Sequence, residues 1–148
     1  MDRRLTVPPS VLVAGRVVGA GLLATTAVIH LYLWDTGYRA IPWIGPLFLV
    51  QAATGLLLCV AVLAVSQGWL SEVALLGVLL QIGTLVGLLM SVEVGLFGFH
   101  ESPVAALFGP SVGAEVVGTL VLAALAAVRP REQRPRQPAA TREVRAGR

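Results

Sequence analysis

The chain has 148 residues, 56% of them hydrophobic and 13% charged, with a mean hydropathy of +0.82. A soluble domain of this length needs a polar surface that such a composition does not supply, so the chain reads as a membrane protein. Its net charge of +3 rests on eleven arginines and no lysine, and ten of those arginines lie toward the two ends. That distribution gives no pointer to nucleic acid.

Four apolar runs, near 11–33, 46–65, 72–95 and 111–128, are each long enough to cross a hydrocarbon core of roughly 30 Å, which takes about 20 helical residues. Barrel strands would alternate in polarity over about 10 residues, and these runs do not. The expected fold is all-α: a polytopic membrane protein with one four-transmembrane-helix bundle over 11–128. A short arm, 1–10, precedes it, and an arginine-rich tail, 129–148, follows. Arg3, Arg4 and Arg16 at one end and seven arginines from Arg129 onward at the other predict cytoplasmic termini in a plasma membrane. Residues 34–45 and 96–110 are then outside and 66–71 form an inner turn. The first run is not read as a cleaved signal peptide, because Arg16 splits its apolar region and the run continues past Ala27.

In chain order, the first run ends in "HLYLWDTGYRAIPWIGP", which holds both tyrosines and two of the three tryptophans. Tyr32, Trp34, Tyr38 and Trp43 suit the headgroup zone, and Pro46 suits the first turn of the second helix. Asp35 and Arg39, four apart, are expected to pair at the wet rim. Glycines four apart at 15–19, 83–87 and 109–113, extended by Ala114 and Gly118, predict close helix packing, within the bundle or in a homodimer. Cys59 has no partner for a disulfide and reads as apolar packing. Gln81, near midplane, is expected to make an interhelical hydrogen bond.

Loop 96–110, "LFGFHESPVAALFGP", is too apolar for an ordinary exposed loop and is expected to cover the bundle mouth. The tail, with seven arginines and three prolines, is expected to be disordered and drawn to anionic lipid. A faint repeat links "IGPLFLVQ" (44–51) to "FGPSVGAE" (108–115): each opens a helix with Gly-Pro and places Gln51 or Glu115 five residues after the proline.

The polar side chains gather in the outer half. His30 falls at the end of the first helix, and Gln51 and Glu115 fall about 7 Å into the second and fourth. Glu93, His100 and Glu101 belong to the end of the third helix and the loop beyond, sharing a face if the helix persists that far. His30, Gln51, Glu93, His100 and Glu115 are the candidate ligand or proton site, with Asp35, Arg39 and Glu101 at the rim. His30, His100, Glu93 and Glu115 are the residues that would hold a divalent metal through nitrogen and oxygen ligands. A quinone exchanging protons with the carboxylates and His30, or a bis-histidine haem, are the other ligands such residues suit. The residues do not name a cofactor. No phosphate-binding glycine loop or nucleophile motif is present, so catalysis is not expected. Small size and missing motifs favour a non-catalytic accessory or scaffold subunit meeting a membrane-protein partner. A metal-, quinone- or haem-binding protein comes second and a small transporter third.

"HLYLWDTGYRAIPWIGPLF", "GLFGFHE" and a glutamate entering the last helix resemble small four-helix membrane proteins of high-GC actinobacteria, over roughly residues 20–125. In size and topology alone the chain is also similar to the DoxX-like proteins. The resemblance implies a four-helix fold and a plasma-membrane location, and no activity.

Overall fold

A computed structural model describes residues 7–128. It contains α1 (Pro9–Thr36), α2 (Ile44–Ala64), α3 (Leu70–Glu93) and α4 (Phe108–Ala126), with a 3-10 turn, Tyr38–Ala40, between α1 and α2. Among the described residues the only β feature is an isolated bridge between Leu96 and Phe99. The all-helical reading holds, with shifted boundaries. Pro9 starts α1 where a proline's fixed φ and missing N–H fit a first turn, which shortens the expected N-terminal arm. Residues 1–6 of that arm and the arginine-rich tail lie outside the described residues.

All four helices are long and apolar enough to cross a membrane. At about 1.5 Å per residue, α4 spans roughly 28 Å and α1 roughly 42 Å. Each buries only a stripe and presents large apolar side chains on its remaining faces, including Leu57 at 72% exposure and Leu120 at 66%. Such contiguous apolar exposure is a liability in water and the normal outer surface of a bundle in hydrocarbon.

The half of the bundle that holds the start of α1 and the end of α4 is packed around one buried cluster. Leu12, Ala20, Leu23, Val62, Leu70, Ala74, Val78, Leu122 and Leu125 form one buried cluster. Leu122 is fully buried between two glycines: a Cβ at Gly19 of α1 would lie 3.1 Å from it, and one at Gly77 of α3 would lie 3.0 Å from it. The 15–19 glycine pair thus serves packing within the bundle, against Leu122 and Leu125 of α4. Arg16, inside α1, reaches the end of α2, where Nη1 donates to the carbonyls of Val62, Leu63 and Val65 at 3.2, 3.3 and 2.7 Å. The last carbonyls of a helix have no intrahelical donor, and a cation there also complements the helix dipole. That contact explains how a charge is accommodated within an apolar run.

At mid-height Gln81 is fully buried, and its Nε2 donates to Thr26 Oγ1 at 3.2 Å and to the Ala114 carbonyl at 3.5 Å. The expected interhelical bond is therefore formed, tying α3 to α1 and α4. Gly118 makes room for it, since a Cβ there would collide with Gln81 Nε2. Toward the other end, α3 stops at Glu93, and Gly95, Phe97 and Gly98 take positive φ of 80°, 52° and 80°. Reciprocal backbone bonds between Leu96 and Phe99, at 2.7 and 2.9 Å, close this reversal. Glycine at two of these positions makes the left-handed backbone inexpensive. Residues 93, 97, 100 and 101 accordingly do not share a helix face, because the helix they would share has ended.

Candidate functional site: a cavity at the loop end

Of the neighbouring helix pairs, α2 and α3 touch least. In the half of the bundle nearer the loops 37–43 and 94–107, the four helices surround a cavity of about 490 Å³. Ligand sites typically hold ~300–1,000 Å³ with mostly apolar walls and a few convergent polar groups. Gly83 and Gly87 of α3 line the cavity, and a Cβ at either would meet nothing within 4 Å. The 83–87 glycines were expected to bring helices together; they hold space open instead, because no large side chain opposes them. Leu47 and Val50 of α2 and Leu79 of α3 also line the cavity while being 46%, 61% and 59% exposed, so it opens sideways between α2 and α3.

The two Gly-Pro helix starts set the polar end. α2 begins at Ile44 and α4 at Phe108, the residue before Gly-Pro in each, which puts Gln51 and Glu115 at equivalent positions along their helices. Both are buried and both line the cavity. Gln51 Nε2 has no hydrogen-bond partner, and neither carboxylate oxygen of Glu115 has one. Glu115 is 0% exposed. A buried carboxyl group without donors or counter-charge is costly, so such a group marks a site more often than a scaffold.

His30 completes this end. α1 continues to Thr36, so His30 sits more than a helical turn inside the helix rather than at its tip, and it is buried. Its Nδ1 lies 2.8 Å from the Thr26 carbonyl; because a carbonyl only accepts, Nδ1 donates, and in the neutral ring Nε2 keeps its lone pair. An aromatic wall runs from it to the mouth. The His30 ring lies 4.8 Å from Phe48, Phe48 stacks on Tyr38 at 4.9 Å, and Tyr38 meets Phe99 edge-on at 5.5 Å.

At the mouth, the Tyr38 hydroxyl donates to Glu101, whose other oxygen accepts from the Ser102 N–H at 2.8 Å. The Glu101 N–H donates in turn to the Ser91 carbonyl at 3.0 Å. Glu101 is thus a half-buried strut between the two loops rather than a fully solvated loop residue. Burial, reinforced by the bond to Glu101, pushes the Tyr38 phenol well above its ordinary range. The apolar loop covers the mouth as expected, with Leu96, Phe99, Ala105 and Leu107 lining the cavity. Phe97 instead stays 62% exposed, near Trp43.

The structure therefore brings together His30, Gln51, Glu115 and, at the rim, Glu101. It does not bring Glu93 or His100 to them. Glu93 is the exposed last residue of α3, and exposed His100 lays its ring over Gly95. Among the described residues no group of three or more His, Cys, Asp or Glu is arranged to hold a metal ion. The two histidines are separated, one inside and one outside, which is not the arrangement a bis-histidine haem needs. Asp35 and Arg39 form the expected rim pair at 3.9 Å, both largely exposed, and such a pair contributes little.

Tyr38, Phe48, Ser91, Phe99 and Ser111 also line the cavity without having been singled out for it. Ser111 carried a signal, standing one helical turn before Glu115 on the same face. Tyr38 was masked by its suitability for an aromatic belt. No protein-family model matches this chain, and no curated protein or solved structure is detectably similar to it.

Proposed function

We propose that this is an integral plasma-membrane protein, with both termini cytoplasmic, that binds a small amphipathic molecule drawn sideways from the outer leaflet. The ligand's head meets Glu115, Gln51 and His30, and its body lies along the apolar wall between α2 and α3. One observation carries the reading: a fully buried carboxyl group with no partner faces an apolar cavity open toward lipid. The accessory-subunit reading rests on size and missing motifs, whereas the cavity is a positive feature, so ligand binding takes precedence. A transport path draws less support, because the packed cluster around Leu122 fills the other half of the bundle.

The test is to purify the chain from its own membranes and identify the small molecules it retains by mass spectrometry. A lipophilic compound at near-stoichiometric amount, depleted at least tenfold in Gly87→Leu, is the expected result. Wild-type protein carrying nothing beyond bulk lipid would overturn the reading. Orientation is checked separately. A cysteine replacing Thr36 should react with an impermeant reagent from outside and one replacing Thr141 should not; the reverse pattern would turn the site to the cytoplasm.

A further inference from the structure

The uncommitted hydrogen-bonding groups at the polar end of the cavity are mostly acceptors. Both Glu115 oxygens lack a donor, and His30 Nε2 keeps its lone pair because Nδ1 is committed to Thr26. Among the described residues, Gln51 Nε2 is the one fully buried side-chain nitrogen lining the cavity that lacks an acceptor. No arginine faces this end: among the described residues, Arg16 is held by the final carbonyls of α2 and Arg39 stands in the open beside Asp35. An anionic head would meet Glu115 with no counter-charge. Tyr32, Tyr38, Phe48 and Phe99 line the same cavity, and aromatic faces attract cations by about 0.5–2 kcal/mol.

We propose that the cavity binds a lipophilic cation, an amine or onium ion with an apolar body, in exchange for the proton of Glu115. The assignment rests on the ligand-site reading above and names the chemistry of the head. With the cavity empty, an ionised carboxylate would be buried without donor or counter-charge, so the acid form is favoured. When the cation enters, the acid gives its proton to water at the mouth and the carboxylate pairs with the cation. No bond to the ligand forms and no electron moves. The other titratable groups facing the cavity are His30 and Tyr32 on α1, Tyr38 on the 3-10 turn and Glu101 on the loop; α2 and α3 contribute none. A protonated His30 would itself act as counter-ion to Glu115, so it opposes the ligand at low pH and acts in the same direction as the exchange.

The experiment uses the full chain in phosphatidylcholine nanodiscs, with tetraphenylphosphonium as the cationic probe and triphenylphosphine oxide as its neutral counterpart. Calorimetry in buffers of different ionisation enthalpy counts protons. The expected result is one proton released per cation bound, and affinity rising about tenfold per pH unit while Glu115 is in its acid form. Glu115→Asp should keep the slope, Glu115→Gln should abolish it, and His30→Ala should retain the proton released by Glu115. Cation binding without proton release, or equal affinity in Glu115→Gln, would overturn the proposal. If Glu115→Gln does not fold, the wild-type proton count decides. Binding of the neutral probe alone would overturn the cation assignment and leave the ligand site standing. Binding of neither probe also overturns the assignment, whereas the ligand site itself stands or falls on the retained small molecule.

Discussion

At one end of the bundle Leu122 and Leu125 fill the notch at Gly15 and Gly19; at the other, Gly83 and Gly87 face a cavity. The residue types and the spacing are alike, and the interiors are opposite. Close approach requires something large to enter the notch that glycine leaves. Where α4 supplies Leu122 and Leu125, the helices close on them, and where it supplies Ser111 and Glu115, they do not. Dispersion and close packing hold the terminal half together, so that half should carry most of the stability and the loop half most of the binding.

The largest expected effect breaks the terminal half. Leu122→Ala removes a fully buried side chain at a three-helix contact and should cost about 2–5 kcal/mol, by analogy with leucine truncation in well-packed cores. Leu88→Ala, on the cavity wall, enlarges a space already present and should cost roughly 1 kcal/mol or less. Equilibrium unfolding of both variants in mixed micelles measures the difference. Equal losses would erase the distinction between the halves.

A smaller effect is expected at Gly45, a glycine of the loop half that packs tightly against backbone. A Cβ at Gly45 would fall 2.8 Å from the Arg39 carbonyl oxygen and 3.0 Å from Tyr38 O, both backbone atoms of the 3-10 turn. Gly45→Ala should therefore cost about 1–3 kcal/mol and displace the turn that carries Tyr38. Gly83→Ala, with open space around it, should leave the melting temperature of the same preparation unchanged.

Glu115→Leu sharpens the comparison further. Replacing an unpartnered buried carboxyl by an apolar side chain should leave stability unchanged or raise it by about 1 kcal/mol, while abolishing ligand retention. A loss above about 2 kcal/mol would mean that Glu115 holds the bundle together.

The smallest effect concerns the mouth. Because the Tyr38 phenol is shifted upward, chiefly by burial and then by Glu101, it keeps its proton at pH values where an unfolded chain has ionised. Its contribution to stability is complete below the unfolded value of about 10 and is lost as pH rises through the folded value. Tyrosinate absorbance should show one tyrosine titrating late, and Glu101→Gln should bring that titration earlier. Unchanged titration in Glu101→Gln would remove the strut.

Much of the architecture was legible in composition and run length. Four apolar stretches, each near the length of a membrane span, leave helices as the structure that satisfies the backbone in hydrocarbon, and Gly-Pro marks where two of them begin. The equivalent depths of Gln51 and Glu115 were legible for the same reason, since counting along a helix from a fixed start gives depth. Gln81 as an interhelical donor and the apolar loop over the mouth were also readable from polarity alone. Which polar groups converge was not. Glu93 and His100 looked like members of the cluster because they are near it in sequence, and the turn through Gly95 and Gly98 takes them away from it. Glu101, next to exposed His100 in the same loop, is turned inward by its bonds to Tyr38 and Ser91.

The sequence by itself determined the number of helices, their approximate limits, the apolar outer surface and the depths of Gln51, Gln81 and Glu115. These are local or one-dimensional properties, set by backbone hydrogen bonding and by the length of hydrocarbon to be crossed. Only the tertiary structure decided which glycines are filled and which stay empty, that α2 and α3 leave a lateral opening, and that Glu115 has no partner. Each of those depends on which side chain of another helix arrives opposite, and that is fixed by rotation and register between helices, which no spacing within one helix records.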